Sequence, residues 1–162
     1  MRIGCEWMVL AERVLEDSAT LNLTLVSCLE RVLALSFPAQ HHGFSVAARF
    51  RCLDVPPEKD GKVRMRLVRL SDHDPDEVIS EADSTWQAGV RTARWVMNFQ
   101  VLRLKRAETL RFRLDFKVGR AAWEQGPSVS LDVVQMELSD EQRQALTDEL
   151  RARGLPPEVL SS

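Results

Sequence analysis

A chain of 162 residues, 44% hydrophobic and 28% charged, is long enough for one domain with its own core and too apolar for a disordered segment. Its net charge of −2 gives no electrostatic reason to expect nucleic acid or a membrane as partner. No run approaches the ~20 apolar residues of a membrane span. The opening Met1-Arg2-Ile3-Gly4-Cys5-Glu6-Trp7 does not read as a secretory leader, so the expected location is the cytoplasm.

In chain order, the dominant signal is alternation with a period of two. Cys5 to Val14 is apolar on both faces and predicts a central or covered strand. Leu21, Leu23 and Leu25 alternate with Asn22 and Thr24 until the phase shifts at Val26. Phe44, Val46, Ala48, Phe50 and Cys52 share a face opposite Arg49 and Arg51. Val63, Met65 and Leu67 alternate with Arg64 and Arg66 before a slip at Val68, the mark of a bulge or strand end. Glu77 to Trp86 can hold a further strand. Trp95, Met97, Phe99 and Val101 form one face. The clearest strand runs from Thr109 to Val118, with Leu110, Phe112, Leu114, Phe116 and Val118 on one side. Arg111, Arg113, Asp115 and Lys117 take the other side. Val129, Leu131 and Val133 complete the set.

Turn residues separate these runs: Asp17 to Thr20, Phe37-Pro38 to Gly43, Val55-Pro56-Pro57 to Gly61, Ser71 to Asp76, Gly89, Lys105-Arg106 and Gln125-Gly126-Pro127. Seven or eight short strands punctuated in this way predict a mainly β fold. The expected arrangement is a two-sheet antiparallel β-sandwich, C2-like or jelly-roll-like, over residues 1–138. Residues 139–162 form a helix and tail beside it. Ser139 and Gln142 make a capping box, and Asp140 and Glu141 suit the positive end of the helix dipole. Gly154 and Pro156-Pro157 stop the helix. Ala145, Leu146 and Leu150 give it a narrow apolar stripe, too thin for independence, so Leu146 and Leu150 are expected to dock it.

Two stretches carry a resemblance. Leu21-Asn22-Leu23-Thr24-Leu25, after a first strand, and Phe37-Pro38-Ala39-Gln40-His41, before the strand at Phe44, resemble a family of small bacterial proteins of unknown function. The resemblance covers about the first third of the chain. It implies a β-sandwich and brings no activity with it.

Charge is unevenly placed. Residues 44–120 hold 16 Lys+Arg against 11 Asp+Glu, whereas residues 121–162 hold 3 against 8. An acidic end lying against a basic middle is the simpler expectation. Cys5, Cys28 and Cys52 have neither metal nor redox spacing and predict buried free thiols.

Four constellations bear on chemistry. Arg49, Arg51, Arg64, Arg66, Arg111 and Arg113 all stand opposite apolar strand positions. On neighbouring strands they would form a basic face for phosphate or phospholipid. Cross-strand carboxylates would cancel it. Asp72-His73-Asp74-Pro75-Asp76-Glu77 has the spaced carboxylates of a calcium loop, but Glu77 replaces the glycine an EF-hand needs. A C2-type site would require Glu58 and Asp60 from a second loop. His41-His42 suggests a metal or proton site, yet neighbours on an extended segment point apart. Trp123, in a loop, is the tryptophan best placed as an interface anchor.

No phosphate-binding glycine loop, zinc-protease motif or nucleophile elbow occurs. The chain has no tyrosine and no aromatic residues interleave with the arginines, which argues against single-strand nucleic acid. The expected function is non-catalytic: a scaffolding or protein-interaction domain, or a homo-oligomer, without cofactor. The alternatives are a C2-like module for anionic surfaces and a small metal-dependent hydrolase.

Overall fold

The computed structural model describes residues 1–17 and 22–152. The expected turn at Ser18 to Thr20, Leu21 of the leucine strand and the expected stop signals at Gly154 and Pro156-Pro157 lie outside the described residues. Among the described residues nine strands and one helix occur. The strands are β1 (Ile3–Glu16), β2 (Leu23–Cys28), β3 (Arg31–Ala34), β4 (Ala39–Cys52), β5 (Gly61–Leu70), β6 (Glu77–Trp86), β7 (Thr92–Leu104), β8 (Glu108–Val118) and β9 (Glu124–Gln135). The helix is α1 (Asp140–Ala152).

The strands form a two-sheet β-sandwich. One sheet has the order β2-β1-β4-β7 and the other β3-β9-β8-β5-β6. The period-two rows supply the core. Phe44, Val46 and Leu10 face Phe112, Leu114, Leu67 and Leu131, all essentially inaccessible to water. Aromatic rings bridge the layers: Phe44 meets Phe112 at 6.1 Å, and Phe50 meets Phe116 edge-on at 5.4 Å. Such offset and T-shaped contacts add to the stabilisation from burial itself. The bulge expected at Val68 is present, because the β5–β6 register shifts between Leu67 and Val68.

Several expectations need correction. Nine strands replace seven or eight. The arrangement is not wholly antiparallel, since β3 pairs parallel to β9, with Arg31 opposite Asp132. The row Trp95-Met97-Phe99-Val101 breaks near its end, where Val101 is exposed and Leu102 and Leu104 are buried. Gln125-Gly126-Pro127 is not a turn but a bulge within β9, where the register to β8 shifts between Arg113 and Asp115. Gly126 is needed there because a Cβ would collide with the Leu114 carbonyl oxygen. Cys28 is exposed, whereas Cys52 is buried and Cys5 half-buried.

The thiols therefore differ in reactivity. Burial pushes the Cys5 thiol up to about 11, and the adjacent Glu6 adds to the rise. A raised pKa leaves little thiolate at pH 8, and the thiolate is the nucleophile. Alkylation at pH 8 followed by peptide mapping should label Cys28 first and Cys5 only after unfolding. Equal labelling of both in the native protein would show that Cys5 is not enclosed.

The capping box forms as expected: Gln142 N–H donates to Ser139 Oγ at 3.3 Å, and Ser139 N–H donates to Gln142 Oε1 at 3.0 Å. Leu146 is half-buried, and the side chain of Leu150 lies outside the described residues. Among the described residues α1 has no extended packing contact with either sheet. Truncation of residues 139–162 should therefore leave a folded sandwich whose thermal midpoint, followed by circular dichroism, moves by only about 2 °C. A truncated chain that fails to fold would make the helix part of the core.

Candidate interaction site

The expected arginine face is divided by the topology. Arg49 and Arg51 belong to β4 in the four-stranded sheet, while Arg64, Arg66, Arg111 and Arg113 belong to β5 and β8 in the other sheet. Each arginine also has a carboxylate. Glu6 lies 3.1 Å from Arg49 and 3.6 Å from Arg51. Arg64 grips Asp83 with two nitrogens and reaches Glu81, and Arg111 meets Asp72 at 2.8 Å. The hydrogen bond from Arg64 holds the Asp83 carboxyl below its ordinary range, and the same bond raises the Arg64 guanidinium. Exposed pairs of this kind stabilise little. Their effect is to cancel the surface charge that an anionic ligand would need.

At the centre of this face lies a buried ion cluster. Register places Arg66 opposite Asp115, and Arg113 precedes Asp115 by two residues on the same side of β8. Asp115 is wholly enclosed. Its Oδ1 accepts from Arg113 Nε at 2.7 Å, and its Oδ2 accepts from Arg66 Nη2 at 3.0 Å and Nε at 3.1 Å. The hydrogen bond to Asp115 raises the Arg113 guanidinium further above its usual value. Trp123 closes the cluster: its ring sits 4.4 Å from the Arg66 guanidinium carbon and 4.6 Å from Lys117 Nζ. The ring is half-buried, so much of the expected anchor surface is engaged within the chain.

The carboxylates of the acidic loop are likewise committed. Asp72 takes Arg111, Asp74 takes Lys105 and Arg106, and Glu77 takes Arg69 at 2.8 Å. Asp60 Oδ1 accepts from Ala88 N–H. His41 and His42 are on β4 rather than in the preceding turn. His42 is exposed, and His41 Nε2 is enclosed without a hydrogen-bond partner among the described residues.

A feature that alternation alone does not reveal lies along one flank. β7 ends one sheet and β6 ends the other, and these neighbouring edges are not hydrogen-bonded to each other. The opposite flank is drawn together by contact of β1 with β9. Between β6 and β7 runs a groove of about 560 Å³ with an apolar floor of Phe44, Ile79, Phe99 and Leu102 and with Val101 at its mouth. Arg69, Glu77, Arg103 and Lys105 border it. β7 is the longest edge at 13 residues, against 10 for β6, 6 for β2 and 4 for β3. Proteins protect sheet edges by shortness, proline, bulges or charge. β2 and β3 are short, and Ser27 in β2 adopts a left-handed φ of 52°. β7 has no proline and no bulge against β4. The signal available in sequence was charge: residues 84–107 contain Arg91, Arg94, Arg103, Lys105 and Arg106 and no carboxylate.

Among the described residues no helix is long and apolar enough to cross a membrane. No curated protein matches the chain. Among solved structures, the cupredoxin domain of amoB from Nitrosocaldus yellowstonii is similar over 61% of this chain and 62% of that one, with 14% identity and a TM-score of 0.37. The alignment thus spans less than two thirds of that domain. The family match is broader than the first-third resemblance: residues 6–117, from β1 to the end of β8, fit the Family of unknown function (DUF6941), and the chain belongs to that family.

Proposed function

We propose that this domain is a non-catalytic protein-interaction module of the cytoplasm that receives an extended segment of its partner along β7. The observation that carries this reading is the 13-residue unpaired edge beside an apolar groove. Such an edge offers a row of backbone donors and acceptors, and an added strand satisfies them while its alternate side chains enter the groove. Val101, 40% exposed at the mouth of that groove, is an apolar contact awaiting cover. The non-catalytic part of the reading is supported by how the reactive side chains are spent. Asp115, Asp72, Asp74 and Glu77 are each held by cations, and His41 and His42 differ in exposure on one strand. Three free cysteines suit a reducing compartment.

The test is photo-crosslinking in the cell that makes the protein. A photoreactive side chain at Gln100, on β7, should give a discrete adduct with one protein. The same group at Thr24, on β2, serves as control. Adducts from Thr24 and none from Gln100 would move the interaction surface elsewhere and sink the proposal.

A further inference from the structure

Resting on that reading, we infer that the segment accepted by β7 is an acidic, extended stretch of another protein, with apolar residues alternating between its carboxylates. Three observations on the flank select this class. First, β7 and its flanking residues contribute only cations from Ser84 to Ala107. Second, the border of the groove has surplus positive charge. Arg69 and Glu77 neutralise each other at 2.8 Å, and Lys105 shares Asp74 with Arg106. Arg103 has no ion pair to a carboxylate among the described residues, and its carbonyl oxygen accepts from Arg69. Third, the facing edge β6 carries Glu77, Glu81 and Asp83, already paired with Arg69 and Arg64. An acidic segment is thus attracted to β7 and finds no cation on β6 itself, which fixes which edge it joins.

The alternation follows from strand geometry. Successive side chains of an added strand point to opposite faces. One set enters the groove over Phe99, Ile79 and Leu102, where only apolar groups avoid a desolvation cost. The other set lies on the outer face of the sheet, where a carboxylate meets Arg103, exposed between the buried Leu102 and Leu104. A second copy of this chain is a poor occupant, because pairing β7 with β7 would oppose cations with cations.

The probe is a short synthetic peptide alternating valine with glutamate, compared with the same peptide bearing glutamine in place of glutamate. Both are titrated against the intact 162-residue chain. Hydrogen exchange then locates the amides that become protected. At low salt the glutamate peptide should bind about ten-fold more tightly than the glutamine peptide, and the advantage should shrink as salt screens it. Slowed exchange should fall on β7. Arg103→Glu should weaken the glutamate peptide about five-fold or more and leave the glutamine peptide unchanged.

Equal binding of both peptides on β7, insensitive to salt, would overturn the acidic class while the edge-addition reading survives. No binding of either peptide, or protection on β6 instead, would overturn both. Sedimentation showing that the free protein dimerises through β7, with that edge already protected, would make the occupant a second copy and refute the inference.

Discussion

Replacing Phe112 by alanine should destabilise the domain by about 3–5 kcal/mol, among the largest effects of any single truncation in this core. The ring is fully enclosed in the middle of β8 and reaches across the sandwich to Phe44, itself stacked on Phe99 at 4.6 Å. Strands on both sides fix the backbone of β8, so the neighbours cannot close the space left behind. The cost is then the lost transfer free energy plus a cavity. For a domain of this size it corresponds to a fall of roughly 6–20 °C in the thermal midpoint. Urea unfolding of parent and mutant gives the measurement. A mutant melting within a degree or so of the parent would place Phe112 outside the core.

This prediction rests on a strand that the sequence displays openly. Between Thr109 and Val118 every second residue is large and apolar, and β8 buries that row as the alternation requires. The slip at Val68 was equally visible, because a bulge changes the phase of the pattern. What remained hidden depends on neighbours rather than on period. The parallel strand β3 is four residues long, and no local pattern distinguishes it from a loop. The Arg-bearing strands could be placed on one sheet or two only with the strand order known, and β4 proved to be on the other sheet from β5 and β8. Asp115 occupies a position that alternation assigns to solvent. It is buried because two arginines and Trp123 cover it, and periodicity contains no trace of that arrangement. The free edge at β7 is likewise a statement about which strand has no neighbour.

The second large effect concerns Asp115. Asp115→Ala should destabilise by about 3–5 kcal/mol, because removing one member of a buried ionic cluster leaves the others uncompensated. Arg66 and Arg113 would then face each other with side chains only 28% and 19% exposed. Neither guanidinium can shed its charge at any accessible pH, so the structure must open toward water to solvate them. The loss should persist in high salt, since a buried cluster is poorly screened. Replacing all three residues by apolar ones of similar size, as Asp115→Leu with Arg66→Met and Arg113→Met, should restore much of the lost stability. Urea midpoints of the single and triple variants decide the matter. A single variant as stable as the parent would mean that the arginines already find solvent, and a triple variant no better than the single would assign the cluster a role beyond charge balance.

The pairing of β3 with β9 sets an order of events during synthesis. Arg31 must wait for Asp132, about a hundred residues later in the chain, before the two strands can join. All four strands of the first sheet have been synthesised once Leu104 is made, but the layer that covers their apolar face is unfinished until β8 and β9 follow. The nascent chain therefore spends the interval with Phe44, Val46 and Leu10 uncovered, and pairings so distant in sequence form slowly. Chaperone dependence should be concentrated in that interval, and chains stalled between β7 and β9 should be the ones that aggregate.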